Sequence, residues 1–239
     1  MRLAVLMTLL AVSLEAQEIY LDPVSFQVST GERVMVLITG AAPARLRDAS
    51  MYTSGGAYNM LNLRAFDGSN ASAEVSVKGP GSPVLAIRTA PEVTPLDAAF
   101  KGLLVSSAPQ TMGQPARQRA AGFAKAILLA DGRPDDAWRR SANHTLEIIP
   151  EDNPYLQRAG GELALRVLRN GRAAANLPVT ATAADGAAQR GRTDAAGRVV
   201  IRLSGAGKWR VHAVSIERCA EPAVAEWETF HATLAFETR

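Results

Sequence analysis

The sequence predicts a mainly β protein: two antiparallel β-sandwich modules of the immunoglobulin-like kind, joined by a short helical connector. Two runs of short apolar stretches, separated by Gly, Pro, Asn and Asp, predict the β modules, because sandwiches space their strands and turns in this way. A segment rich in helix formers lies between the two runs. The predicted divisions are an N-terminal sandwich over residues 17–95, a connector and linker over 96–143, and a C-terminal sandwich over 144–239.

The N-terminal module begins with an alternating pattern. Ile19 and Leu21 lie two positions apart, Phe26 and Val28 follow after a proline, and residues 34–38 form a continuous apolar run. Further strands are predicted at residues 61–66, 73–77 and 84–89. Residues 40–58 are rich in Ala, Pro, Ser and Gly, which predicts a long loop over one end of the sandwich.

The connector carries a helical pattern. Apolar side chains recur at helical spacing at Ala120, Phe123, Ala124, Ile127 and Leu128, which predicts a helix over residues 114–129. The tail of this segment, residues 126–129, is also compatible with a strand. A short helix is predicted at 96–105, and the Asp-Gly-Arg-Pro sequence at 131–134 ends the element.

The C-terminal module has the most regular pattern in the chain. Strands are predicted at residues 145–149, 162–169, 179–183, 198–203, 209–214 and 227–236. Asn170-Gly171 directly follows one of them, as a tight hairpin requires. The turn at 194–197 predicts a second hairpin, and the short connections favour antiparallel pairing.

The opening residues predict export. Arg2, the apolar run at 3–14 and the small residue Ala16 match a secretory signal peptide over residues 1–16, with cleavage before Gln17. The alternative is a membrane anchor, but the run meets Glu15 before it reaches the roughly 20 apolar residues of a spanning helix. We therefore expect a periplasmic protein without a membrane span after cleavage.

The composition excludes disorder and gives little support to nucleic-acid binding. The chain has 239 residues, 47% of them hydrophobic, and a formal net charge of +3. This hydrophobic fraction is sufficient for a packed core. Its basic residues do not alternate with aromatic ones, so no nucleic-acid partner is expected. Cys219 is the single cysteine and cannot form an internal disulfide.

No motif in the sequence predicts catalysis. A G-x-S-x-G elbow and a phosphate-binding loop are both missing, so no catalytic, cofactor-binding or metal-ligating residue is assigned and the protein is predicted not to be an enzyme. A pair of carboxylates acting on a sugar remains an open alternative, since such pairs need no sequence proximity. His212 and His231 lie in two predicted strands and could face each other across a sheet. The alternative is that each is a solvated or singly hydrogen-bonded histidine.

Several segments together resemble a known family. They are E-I-Y-L-D-P-V-S-F-Q-V at 18–28, A-K-A-I-L-L at 124–129, L-E-I-I-P-E-D-N-P-Y at 146–155, T-D-A-A-G-R at 193–198, G-K-W-R-V at 207–211 and W-E-T-F-H-A-T-L-A-F at 227–236. The chain resembles a bacterial periplasmic family of unknown function that is grouped with nickel- and cobalt-uptake components. Members often have Ala-His-Asp where this chain has Ala16-Gln17-Glu18, and a histidine near the position of Ser215.

The resemblance implies a non-enzymatic periplasmic binding or accessory protein linked to transition-metal uptake. Nickel or cobalt would be its bound ligand, and a metal-uptake transporter or receptor in the envelope its partner. A chelating N-terminal histidine would be missing here, because Gln17 takes its place. The alternative is a structural or protein-interaction module of the cell envelope that binds no metal.

Overall fold

The computed structural model describes residues 18–59, 63–67, 69–96 and 116–239. The predicted signal peptide and all but the first residue of the predicted helix at 96–105 lie outside these ranges. No helix in these ranges has the length and apolar character of a membrane-spanning segment.

A nine-stranded sheet forms the centre of the molecule. Its strands, in spatial order, are β16 (Ala188–Arg192), β15 (Pro178–Ala183), β18 (Gly207–Arg218), β19 (Trp227–Thr238), β10 (Arg117–Ile127), β8 (Val84–Thr89), β4 (Leu46–Thr53) and β5 (Gly56–Asn59). The ninth strand, β9 (Glu92–Pro95), pairs with the first half of β10. Neighbouring strands are antiparallel except β10 and β19, which run parallel.

Two four-stranded sheets accompany the central sheet. The first contains β1 (Tyr20–Pro23), β3 (Arg33–Thr39), β7 (Asn70–Ser76) and β6 (Leu63–Asp67). The second contains β12 (Leu146–Pro150), β13 (Glu162–Arg169), β14 (Arg172–Ala173) and β17 (Arg198–Arg202). A short parallel pair joins β2 (Gln27–Val28) to β11 (Leu129–Ala130). The prediction of a mainly β sandwich protein is confirmed.

The alternation of side chains along β10 separates two hydrophobic cores. Ala121 and Phe123 contribute to the core that includes Trp209 of β18 and the second four-stranded sheet. Ala124 and Ala126 contribute to the core that includes the first four-stranded sheet. Because successive residues of a strand point to opposite faces, the two accessory sheets pack on opposite faces of the central sheet.

The predicted helical connector is wrong wherever the structure describes it. Residues 117–127 form strand β10, hydrogen-bonded on one side to β8 and β9 and on the other to β19. The segment is buried on both faces from Ala120 onward, so its apolar residues run nearly continuously. Such a run also matches a buried helix, and the tertiary pairing outweighs the helix propensity of alanine.

Two separate sandwich modules joined by a connector are not supported. The central sheet contains β4 and β8 from the first predicted module and β18 and β19 from the second, with β10 between them. The predicted loop at residues 40–58 is also wrong, because β4 and β5 form an antiparallel pair within it. All four residues of β5 are exposed, and most of them are small or polar. This edge strand therefore lacks the alternation of apolar and polar residues by which a strand is usually predicted.

The two predicted hairpins have different outcomes. Asn170 and Gly171 adopt positive φ angles of 51° and 73° between the paired strands β13 and β14, which confirms the first hairpin. The second is wrong, because the turn at 194–197 connects β16 of the central sheet to β17 of an accessory sheet. This turn therefore crosses between sheets rather than joining paired strands.

A buried ion pair connects the central sheet to the second accessory sheet. Lys125 Nζ of β10 donates to Glu147 Oε1 of β12 over 2.8 Å, and the two side chains are 1% and 2% exposed. The ammonium also donates to the carbonyl oxygens of Arg140 and Ile148. Glu147 accepts further hydrogen bonds from the Ser141 hydroxyl and the Ala142 amide.

Candidate functional site

His212 and His231 meet on one face of the central sheet. The register of β18 and β19 pairs Val214 with His231 and His212 with Thr233, so the two histidines are diagonal neighbours on the same face. His212 Nε2 lies 3.2 Å from His231 Nδ1, and the ring planes are parallel. The short distance between the nitrogens means that the rings meet at their edges, which confirms that the two histidines face each other across the sheet.

Glu18 orients this pair from the segment before β1. Its Oε1 lies 2.8 Å from His212 Nδ1, and its Oε2 accepts a hydrogen bond from the Tyr20 hydroxyl. A carboxylate at Nδ1 favours the tautomer with a proton on that nitrogen. His212 Nε2 then has its lone pair directed at His231.

Several contacts fix the N-terminal segment over the histidines. The Thr233 hydroxyl donates to the Ile19 carbonyl over 2.6 Å. At the far end of β1, Asp22 accepts hydrogen bonds from Lys208 at 3.3 Å and Arg210 at 3.0 Å, both from β18. The contacts of Ile19 and Asp22 therefore hold the segment that carries Glu18 above β18 and β19.

Burial controls the protonation of the site. His231 is 2% exposed, and desolvation together with the nearby His212 lowers its pKa to about 4. Burial disfavours the charged form of Glu18, but the hydrogen bonds from His212 and Tyr20 outweigh it and hold the pKa of Glu18 below its usual value. A neutral imidazole beside an ionised carboxylate is the state that metal coordination requires.

The two nitrogens are close enough to share a metal ion once the rings turn so that both lone pairs converge on it. An ion about 2.1 Å from both nitrogens would subtend an angle of about 100° between them, which lies between the octahedral and tetrahedral values. Glu18 would then be the outer partner of a carboxylate–histidine–metal chain. Across the described ranges, no group of three or more His, Cys, Asp and Glu side chains could hold an ion.

The sequence comparison identifies the family. The family model of the domain of unknown function DUF4198 matches residues 14–217, which include Glu18 and His212 and end before His231. The chain belongs to the DUF4198 family. This confirms the resemblance to a family of unknown function. No curated protein matches this DUF4198 chain.

Solved structures give only loose likenesses to this DUF4198 protein. A chimeric titin Z1Z2-Z1Z2 tandem is 12% identical, with 90% of this chain and 98% of that chain covered and a TM-score of 0.23. The tandem Ig repeats of Dlar are 10% identical, with 93% and 96% covered and a TM-score of 0.24. A bacterial ice-binding adhesin is 9% identical, with 90% and 62% covered and a TM-score of 0.25. TM-scores this low do not support conclusions about function.

Three further titratable residues of this DUF4198 protein have contacts outside the histidine pair. Cys219 is a buried free thiol in a loop, with its sulfur 3.5 Å from the Glu221 carbonyl oxygen. Glu217 forms an ion pair with Arg169. His144 packs against Phe123, with ring centroids 5.3 Å apart.

Glu18 is the site residue that sequence reasoning missed. A usable signal exists in the alternation of the segment: Ile19 and Leu21 are buried in the core, so Glu18 and Tyr20 point to the opposite face. The partner of that face could not be read from the sequence, because it is formed by strands near the other end of the chain.

Proposed function

We propose that this protein is a non-enzymatic periplasmic binding or accessory protein for transition-metal uptake, with nickel or cobalt as its cargo. His212 and His231 bind the ion through two imidazole nitrogens, and Glu18 orients His212. A transporter or receptor of the cell envelope receives the ion. Support comes from the resemblance to metal-uptake components and from the facing histidine pair.

The histidine pair is the single observation that carries this proposal. Two imidazoles with nitrogens 3.2 Å apart share one proton in the metal-free protein, and an ion can replace that proton. Imidazole is a good ligand for nickel, cobalt, copper and zinc. The low pKa of His231, about 4, keeps this ligand neutral at pH 7, so little proton competition opposes binding.

Isothermal titration of the protein purified after export tests the proposal. We expect saturable binding of Ni²⁺ or Co²⁺ with a dissociation constant below about 100 μM. The His212→Ala and His231→Ala variants should lose this binding. Glu18→Gln should weaken it by about 10- to 100-fold, because the outer carboxylate orients the ligand.

His144→Gln is the matched control, because His144 packs against Phe123 on the opposite face of the central sheet from the pair. This variant should keep the wild-type affinity. Circular dichroism of each variant separates loss of ligands from loss of fold. An unchanged binding isotherm in the His212→Ala/His231→Ala double variant would contradict the proposed site.

A second candidate function is a protein-interaction module of the cell envelope. Strand β5 favours it, because all four residues lie exposed at the edge of the central sheet and an exposed edge can pair with another chain. A photo-crosslinker at Tyr58 should then capture one specific envelope protein in whole cells. Recovery of only abundant, non-specific proteins would argue against this function.

A further inference from the structure

Strand β16 forms one end of the central sheet, opposite the end formed by β5. Among the described strands, only β15 pairs with it. The pairing runs from Pro178↔Arg192 to Thr182↔Ala188 without a register shift, so no bulge interrupts the strand. Proteins often protect an open edge with a bulge or a proline, because such an edge accepts another strand. β16 has neither, and four of its five residues are exposed.

The hydrogen bonds between β15 and β16 show which backbone groups face outward. The Ala183 amide donates to the Ala187 carbonyl, and the Thr193 amide donates to the Leu177 carbonyl. In an antiparallel pair, such positions alternate with positions whose N–H and C=O groups point away from the partner. The outward-pointing positions of β16 are therefore Ala188, Arg190 and Arg192.

Two arginine side chains flank this edge. Arg190 and Arg192 are two positions apart on β16, so both point to one face of the sheet, and both are exposed. Gln189 points to the opposite face, where its side chain hydrogen-bonds the backbone of Arg202 on β17. β17 therefore contacts β16 from the face opposite the two arginines.

Neither arginine has a carboxylate partner in the described part of the chain. Arg192 donates to the carbonyl oxygen of Asn176, which is a neutral acceptor. The acidic residues nearest in sequence, Asp185 and Asp194, each accept hydrogen bonds from backbone amides of their own turns. The positive charge at this edge is therefore available to a negatively charged partner.

An added strand could use the backbone and the charges together. In antiparallel pairing, the residue opposite Arg190 exchanges two backbone hydrogen bonds with it and places its side chain on the same face. The same holds for Arg192, so acidic residues at alternate positions would face both arginines. Opposite charges directly across two strands are stabilising, whereas like charges are destabilising. The arginines therefore disfavour pairing with a second copy of β16 and favour an acidic strand.

We propose that β16 is a docking edge for an extended, acidic segment of another protein. The segment adds an antiparallel strand to the central sheet, with glutamate or aspartate opposite Arg190 and Arg192. Strand β5, at the other end of the sheet, contains no charged residue, so charge does not select a partner there. The inference is independent of the proposed metal-binding function.

A short labelled peptide, Thr-Glu-Val-Glu-Val-Glu-Thr, is the probe. Fluorescence anisotropy with the full exported protein should give a dissociation constant of about 100 μM or tighter. Two matched peptides separate charge from backbone pairing. One has glutamine at the three glutamate positions, and the other has N-methylated glutamates, which keep the charge but cannot donate to β16. Each should bind at least about 10-fold more weakly.

Amide hydrogen exchange followed by NMR locates the peptide on the strand. The amides of Ala188, Arg190 and Arg192 point to the open edge, so a saturating peptide should slow their exchange by at least about 10-fold. The amides of Gln189 and Gly191 face β15 and should change less. An alternating pattern is specific to an added strand, since a peptide lying on the face of the sheet would not produce it.

Protein variants provide the second control. Arg190→Ala/Arg192→Ala should weaken peptide binding by at least about 10-fold. Ala188→Pro keeps both arginines and removes one outward donor, which an edge strand tolerates, and should weaken binding by about 3- to 10-fold. The control Arg64→Ala/Arg133→Ala removes the same charge from two exposed positions elsewhere and should keep the wild-type affinity. Circular dichroism confirms that each variant is folded.

Three outcomes would overturn the inference. Wild-type affinity for the N-methylated peptide, or equal losses in the two arginine double variants, would show general charge attraction without strand pairing. Slower exchange that does not alternate along β16 would place the peptide elsewhere. No binding of the glutamate peptide at about 1 mM would show that the arginines only protect the edge from pairing.

Discussion

Replacing Lys125 with methionine should be one of the most damaging single changes in this protein. The methionine side chain preserves most of the volume but removes the positive charge beside Glu147, which is 2% exposed. The carboxylate keeps the hydrogen bonds from Ser141 and Ala142, at 2.6 and 2.7 Å, and these limit the loss. Breaking a buried pair in this way costs about 3–5 kcal/mol, and the two remaining donors favour the lower end.

The double variant Lys125→Met/Glu147→Leu provides the internal control. Removing both charges leaves an apolar contact of similar volume, which is often neutral or stabilising relative to the ion pair. We expect the double variant to recover part of the loss, because the Ser141 hydroxyl and the Ala142 amide lose their acceptor when Glu147 is replaced. Urea unfolding at pH 7, followed by tryptophan fluorescence, gives the four free energies of a double-mutant cycle. A loss below about 1 kcal/mol for Lys125→Met, or a double variant no more stable than the single one, would refute the reasoning.

Three further predictions concern stability. Burial lowers the pKa of His144 to about 4; the charges of Lys125 and Arg88 add to this effect, and those of Glu147 and Asp48 oppose it. As the pH falls from 6.5 towards 4, this histidine therefore binds a proton in the unfolded chain but not in the folded protein. Between pH 7 and 5 the wild type should therefore lose about 2 kcal/mol more stability than His144→Leu in urea titrations, and equal losses would contradict this. Gly40→Ala should destabilise by about 2 kcal/mol or more, because φ is +85° and the new Cβ would lie 2.1 Å from the Glu18 carbonyl oxygen. The control Gly31→Ala, with φ +83° and no atom within 4 Å, should cost only about 1–2 kcal/mol in thermal unfolding, so equal losses would exclude the contact as the cause. Thr193→Val should cost about 1–3 kcal/mol, since the buried hydroxyl bridges the Ala174 carbonyl and the Leu177 amide; an unchanged urea midpoint would show that this bridge contributes nothing.

Local patterns predicted most strands of this fold correctly. Residues 162–169 and the Asn170-Gly171 turn were readable because the strand and its hairpin are defined by adjacent residues. The alternation in β18 and β19 was likewise sufficient to predict that His212 and His231 could face each other. These features depend on the period of a strand and the φ angles of a turn, which the sequence encodes locally.

The missed features depend on contacts between distant segments. Strand β10 has the composition of a helix, and only its pairing with β8, β9 and β19 makes it a strand. Glu18 lies beside His212 because the N-terminal segment packs on the face of the central sheet that carries the two histidines.

The parallel pairing of β10 with β19 has a consequence for how the chain folds. Contacts between these strands join residues 109 positions apart, as between Arg119 and Glu228, so the chain must close a long loop before the centre of the sheet can form. Contacts at this sequence separation slow folding. Before β19 pairs with β10, strands β8 and β9 form backbone hydrogen bonds with one edge of β10. The other edge of this apolar strand then has no hydrogen-bonding partner strand. Truncation before Trp227 should therefore yield an aggregating chain rather than a smaller folded domain.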